Sequence, residues 1–191
     1  MYSLAIVQDR WRRFKVLNFR RALNIVRLVV GYRKRVMLDG AMPMSLSIEP
    51  TTSCNLRCPK CPSGLRSFTR PTGMAELEMV ENVLVELKDW LVYVNLYFQG
   101  EPYLHTGLDD MVRACKRASV YTSTSTNAHF LNPEKASSLV SSGLDRLIIS
   151  IDGLTQESYS AYRVGGSLEK VLEGTENVIK AKRKLKSRTP L

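Results

Sequence analysis

No run of about 18 uninterrupted apolar residues occurs in this 191-residue chain, which argues against a transmembrane helix. The N-terminal stretch is not expected to be a secretory signal either. The apolar stretch from Val16 to Val30 is broken by Arg20, Arg21 and Arg27, and no small-residue cleavage site follows it. Histidine is scarce, with 2 residues, and so is cysteine, with 4. A cytoplasmic protein is therefore expected, with its cysteines as reduced thiols. In that setting closely spaced cysteines read as metal ligands or redox groups before they read as disulfides. Low-complexity segments and internal repeats are also absent. Acidic residues are nearly missing from one region: ten Lys/Arg lie between Arg10 and Arg35, with Asp9 the single acid beside them.

What is present has an ordinary globular balance, 44% apolar and 24% charged, in a length that suits one domain with a real core. The net charge of +10 sits at the two ends. Six more basic residues lie between Lys180 and Arg188, so the ends hold 16 of the 28, and the remainder carries 12 basic against 17 acidic residues. A nucleic-acid-binding protein would spread its charge along a recognition surface, so no nucleic-acid partner is expected.

Residues Trp11 to Leu38 read as one long basic helix, with Val16, Phe19, Leu23, Val26 and Val30 recurring at steps of three and four. The favoured reading packs that stripe on the domain and leaves a solvated basic face. The other is a membrane-surface or partner contact. Residues 1–40 are taken as this basic extension and residues 41–191 as the main domain.

After Gly40 the pattern changes. Strands are predicted at Met44–Glu49, Leu91–Phe98, Val120–Thr126 and Asp145–Ile151, the last with a fully apolar core. Helices are predicted at Met74–Trp90, Gly107–Ala118, Pro133–Ser142, Thr155–Tyr162 and Leu168–Leu185, with Gly64–Gly73 a loop. Strand and helix alternate four times. Such alternation implies an α/β fold with a parallel sheet, right-handed crossovers and outer helices. Ligands of these sheets bind beyond the carboxyl ends of the strands.

The loop after the first strand is TTSCNLRCPKC, which places Cys54, Cys58 and Cys61 in the spacing C-x3-C-x2-C. Three thiolates from one short loop can wrap one face of a cubane cluster and leave one iron open. The competing reading is zinc, which wants four ligands. Its fourth would have to be His105, His129 or Cys115, none of which has partner spacing. The second strand runs into Gln99-Gly100-Glu101-Pro102, where Gly100 permits close approach of a ligand and Glu101 offers a carboxylate; a plain turn is the alternative. The third strand ends in Thr124-Ser125-Thr126-Asn127 and the fourth in Ser150-Ile151-Asp152-Gly153. Both bring polar groups to the same mouth, able to hold ribose hydroxyls or an amino-acid carboxylate. Asp152-Gly153 also has a turn reading. Arg163 is either a fixed cation for a carboxylate or a surface helix cation.

Taken together, CNLRCPKC, QGEP, STNAHFL and SIDG, each after successive strands, resemble the radical S-adenosylmethionine superfamily over roughly Met44 to Leu185. YRVGGSLEKVLEG adds a likeness to its peptide-modifying branch, the SPASM or twitch type. The resemblance implies a partial (β/α)6 TIM-like barrel with about four βα units, the N-terminal part of a longer enzyme. It implies a [4Fe–4S] cluster on Cys54, Cys58 and Cys61, and S-adenosylmethionine on the open iron. Reductive cleavage of the carbon–sulfur bond would then give a 5′-deoxyadenosyl radical that abstracts hydrogen from a peptide, protein or small-molecule substrate. Lys60 falls where the family contacts adenine. An aromatic or apolar residue is usual there, so a contact through Lys60 backbone atoms is implied. Gly100 and Glu101 fall on the stretch that binds the methionine amino group, Ser150 on a ribose or carboxylate contact, and Arg163 on a carboxylate contact. Asn127 and Asp152 belong to the same cofactor mouth. An electron donor such as flavodoxin or ferredoxin is implied as partner. The alternative is a zinc- or cluster-bearing interaction or scaffold protein without catalysis.

Overall fold

The computed structural model describes residues 4–191; Met1 to Ser3, the first residues of the basic extension, lie outside the described residues. The extension folds as two helices rather than the predicted one: α1 at Leu4–Lys15 and α2 at Phe19–Lys34. Asn18 causes the break. Its backbone is extended and its side chain accepts from the Arg21 N–H, a cap that starts a new helix.

The side on which α2 packs is also a correction. Its buried residues are Arg21, Asn24 and Gly31, while Phe19, Leu23 and Val26 of the predicted packing stripe face outward, Phe19 82% and Val26 56% exposed, and Val16 and Val30 are half-buried. Polar bonding decides this orientation. The Arg21 guanidinium donates to the carbonyls of Lys88, Ala118, Ser119 and Val16 at 2.6 to 3.2 Å. Asn24 donates to Met42 O and accepts from Met42 N–H.

The main sheet is parallel, in the order β1 (Ser45–Ser47), β2 (Tyr93–Asn95), β3 (Tyr121–Thr126) and β4 (Arg146–Ile149). Register sets Ser45 beside Tyr93 and Tyr93 beside Tyr121, then Ser47 beside Asn95 and Asn95 beside Ser123. The connecting helices are α3 (Pro62–Leu65) and α4 (Leu77–Leu87) after β1, and α5 (Leu108–Arg117) after β2. After β3 comes α6 (Pro133–Ser142), and after β4 come α7 (Gln156–Tyr162) and α8 (Leu168–Lys184). Pro62 to Leu65, predicted as loop in part, is thus a short helix with Cys61 at its N-cap and Pro62 at its first turn.

One sheet face carries the core. Val94 and Leu96 lie buried with Val80 and Leu84 of α4, Met111 and Val112 of α5, Leu139 of α6 and Val171 of α8. The alternate residues Ser47, Tyr93, Asn95 and Ser123 give the other face a polar lining, as the two-residue period of a strand requires. Tyr93 Oη donates to Ser123 Oγ, which donates to Asn95 Oδ1. At the amino ends of the strands α1 closes this face: Arg13 stands about 5 Å over the stacked rings of Tyr93 and Tyr121, and Asp9 accepts from the Tyr121 hydroxyl.

β4, read from the sequence as a strand with a fully apolar core, is half-buried throughout, because it is an outer strand. Leu191 lies on its free side. The Leu191 N–H donates to Asp145 O at 2.9 Å and Leu191 O accepts from the Leu147 N–H at 3.0 Å, in the pattern of a parallel pairing. No helix among the described residues is long and apolar enough to cross a membrane.

Candidate functional site

The carboxyl ends of β1 to β4 open on one cavity of about 230 Å³. Cys54, Cys58 and Cys61 line it, together with Gly100, Glu101, Asn127, Ser150 and Arg163. Of the ten site residues read from the sequence, these eight are brought together. Asp152 is absent from the lining and acts one step back, its carboxylate accepting from Arg163 Nε at 2.5 Å. Lys60 is exposed and its side chain is outside the lining.

The cysteine loop is held backbone to backbone. The Glu101 N–H donates to Ser53 O at 2.7 Å, and the Arg57 N–H donates to Val164 O at 2.9 Å. Gly100 has φ +77°, and any Cβ there would collide with the Thr51 carbonyl oxygen. Gly64 in α3 lies against Cys58, where a Cβ would sit 2.5 Å from the Cys58 nitrogen. Both glycines are therefore needed for the loop to lie against its neighbours.

Glu101 is 2% exposed. Its Oε1 accepts from the Tyr103 N–H and the Thr126 hydroxyl, and its Oε2 accepts from the Asn127 N–H. A carboxylate accepts about four hydrogen bonds, so one position remains for a ligand. Burial pushes the Glu101 carboxyl above its ordinary value, and these hydrogen bonds oppose the rise without cancelling it. Asn127 in turn donates through Nδ2 to Asn55 Oδ1 at 2.7 Å.

The thiols have distinct surroundings. The Leu56 N–H donates to Cys54 Sγ at 3.4 Å, while burial raises the Cys54 thiol above its ordinary range. Cys58 is buried, with Arg163 Nη1 directed at its sulfur from 3.9 Å. Arg163 is thus a fixed cation, held by Asp152 on one side and facing Cys58 on the other.

The donor set fits a cluster better than zinc. Among the described residues no three His, Cys, Asp or Glu side chains converge on a single metal ion. The candidates for a fourth zinc ligand are committed elsewhere. His105 contacts Ala75 O and the Gly107 N–H, and His129 accepts from the Ser167 N–H at 2.9 Å. Cys115 lies in the core, and burial pushes its thiol up to about 11. Three thiols spread around one cavity, with no histidine or fourth cysteine lining it among the described residues, suit a cubane that keeps one iron open.

Sequence reasoning missed two residues that build this mouth. Ser63 Oγ accepts from the Gly100 N–H at 2.8 Å and Asn55 holds Asn127, while Thr126, read at the end of the third strand, holds Glu101. The position of Ser63 just after Cys61, and of Asn55 between two cysteines, was the available signal.

Residues 48–191 match the Radical SAM superfamily. The chain is 37% identical over 150 residues to GTP 3′,8-cyclase of Peptoclostridium acidaminophilum, covering 74% of this chain and 45% of that protein. It is 33% identical over 140 residues to mycofactocin maturase MftC of Mycobacterium ulcerans, covering 73% of this chain and 37% of that one. The fold resembles that of Streptococcus suis SuiB bound to S-adenosylmethionine, with a TM-score of 0.62 at 17% identity over 81% of this chain and 33% of SuiB. The chain spans less than half the length of these curated relatives. With cysteine loop, polar mouth and parallel half-barrel in the family's order, this chain belongs to the radical SAM superfamily.

Proposed function

We propose that this chain holds a [4Fe–4S] cluster on Cys54, Cys58 and Cys61 and binds S-adenosylmethionine beside it, as part of an enzyme that takes hydrogen from a peptide or protein. In this reading residues 41–191 are the cofactor-binding core, residues 1–40 are an extension, and the protein works in the reducing cytoplasm that four free thiols suit. The observation that carries the proposal is the single cavity shared by three thiols and five cofactor-facing residues. Cys54, Cys58 and Cys61 would hold the cluster, and Glu101 and Arg163 the S-adenosylmethionine beside it, a pair that would supply one-electron reductive cleavage and hydrogen abstraction.

The protein's own residues bind and orient. Arg163, aligned by Asp152, offers a guanidinium donor to a carboxylate close to Cys58. Glu101 keeps one acceptor position for an ammonium group, and Gly100 lets the ligand approach the backbone. Asn127 and Ser150 add amide and hydroxyl groups for the sugar. Leu56, 1% exposed, closes the cavity wall on water. Lys60 contributes through its backbone. Exposed Arg57, Lys60 and Arg66, with no acid from Pro50 to Ala75, suit an acidic electron donor of the flavodoxin or ferredoxin kind. On the polar sheet face, exposed Ser47 and half-buried Asn95 support a peptide substrate, whose backbone amides their side chains can bond.

Anaerobic reconstitution of the chain with iron and sulfide, followed by electron paramagnetic resonance of the reduced sample with and without S-adenosylmethionine, tests the proposal. A cluster signal that changes on adding the cofactor is expected, and Cys58→Ser should abolish the signal. Tight zinc uptake with no cluster would sink the cluster assignment. A cluster signal indifferent to S-adenosylmethionine would leave only a carrier or scaffold role.

A further inference from the structure

Amphipathic helices of globular proteins turn their apolar stripe to the core, and α2 does the reverse. Arg21 and Asn24, 3% and 1% exposed, attach it to the domain. Phe19, Leu23, Val26 and Val29 stand on the other side at 82%, 39%, 56% and 45% exposure. Arg21 cannot turn outward without abandoning carbonyls at the ends of α4 and α5, so the apolar stripe is held in solvent by polar bonds beneath it. α1 extends the same character: Trp11 and Phe14 are 58% and 64% exposed and stack with centroids 6.2 Å apart.

The cations accompany the stripe. Arg27, Arg33, Lys34 and Arg35 are exposed on or just after α2, Lys15 lies 5.7 Å over the Trp11 ring, and no acid occurs between Asp9 and Asp39. Exposed aliphatic and aromatic side chains set among unopposed cations need a surface that is apolar within and anionic at its face. We infer that α1 and α2 dock the protein on an anionic lipid surface, with the Phe19 to Val29 stripe inserted at the headgroup boundary and the cations on phosphates. A second copy of the chain would bring like charges together. A nucleic acid would give Leu23, Val26 and Val29 nothing to enter. A lipid surface rewards both halves of the pattern. The inference is independent of the cluster.

The test is flotation of the full chain with vesicles of phosphatidylglycerol and phosphatidylcholine in equal parts, against phosphatidylcholine alone, with tryptophan emission followed in parallel. Binding to the anionic vesicles only, weakened by salt, with a blue shift as Trp11 leaves water, is the expected result. Arg33→Glu with Lys34→Glu should weaken it about a hundredfold, at roughly one factor of five per cation removed and more for the reversed charge. Phe19→Ser with Val26→Ser should also release the protein. Both pairs lie at exposed positions, and unchanged circular dichroism would show that the fold persists. Absence of binding to anionic vesicles at low salt overturns the inference, as does binding undiminished in both variants. Concentration-dependent dimerisation that Phe19→Ser removes, with no vesicle binding, would assign the face to a second copy instead.

Discussion

The mouth of the sheet and the N-terminal helix pair are both fastened by buried polar side chains, and they differ in what each fastening leaves exposed. At the mouth, Glu101, Thr126, Asn127 and Ser63 satisfy one another and the backbone, and three thiols with one cation are left facing a cavity. At the helix pair, Arg21 and Asn24 satisfy backbone carbonyls, and an apolar stripe is left facing solvent. Buried polar groups need complete sets of partners, so they fix orientation more strictly than apolar contacts do. In both regions the fastening decides which chemistry points outward. In one it is ligand chemistry; in the other it is surface chemistry.

The strongest way to break the mouth is Gly100→Ala. The left-handed backbone costs a Cβ about 1–2 kcal/mol, and the collision with the Thr51 carbonyl adds about 1–3 kcal/mol. Denaturant midpoints should fall accordingly, and iron uptake should fall with them because the cysteine loop is pinned to Gly100 and Glu101. An alanine variant of native stability and full iron content would show that the loop is not held there.

Arg21→Met attacks the other region. It strands the carbonyls at the ends of α4 and α5 and removes a cation from two helix C-termini, for a loss of about 3 kcal/mol. Iron content per folded protein should be unchanged. If it drops, the helix pair and the mouth are not independent, and the contrast between them fails.

Much of this was legible in the sequence, for physical reasons that also mark its limit. Strand and helix periods gave the alternation, and spacing put Cys54, Cys58 and Cys61 on one loop. Parallel topology then carried Gly100, Asn127 and Ser150 to the same end. Periodicity located the stripe of α2 and gave no information about which side would meet the domain. That was decided by Arg21 reaching the Ser119 carbonyl, 98 residues along the chain. The break at Asn18 falls inside the apolar recurrence from Val16 to Val30, which reads as one continuous helix. Ser63 and Asn55 were opaque because their partners, Gly100 and Asn127, lie 37 and 72 residues away.

Glu101→Gln sharpens the account of the mouth with a smaller effect. The amide NH₂ must face either the Asn127 N–H or the pair of donors at Oε1, so at least one bond is lost, at about 1–3 kcal/mol. The pH dependence supplies an independent readout. Burial raises the folded carboxyl above its ordinary 4.5, so the native state holds that proton more tightly than the unfolded chain. The stability this gives is complete below about 4.5, declines as pH rises to the raised value, and is constant beyond it. Denaturant midpoints measured across that window should slope downward with pH in the native protein and lose this part of the slope in Glu101→Gln. An identical slope in both would mean that Glu101 titrates normally, in contradiction to its burial.

The smallest expected effect belongs to Lys60, inside the cysteine loop yet outside the cavity. Its neighbour Cys61 lines the cavity and caps α3, which turns the Lys60 side chain to solvent. A backbone contact survives side-chain truncation, so Lys60→Ala should change S-adenosylmethionine affinity by less than about twofold, a difference under roughly 0.4 kcal/mol. Arg163→Ala in the same titration should cost about tenfold or more, because it removes a charge-assisted bond from a cation aligned by Asp152. The pair of variants separates loop membership from cavity membership. A tenfold loss in Lys60→Ala would mean that the side chain folds over the bound cofactor, and the exposed surface of the loop would then belong to the site and not to the docking of an electron donor.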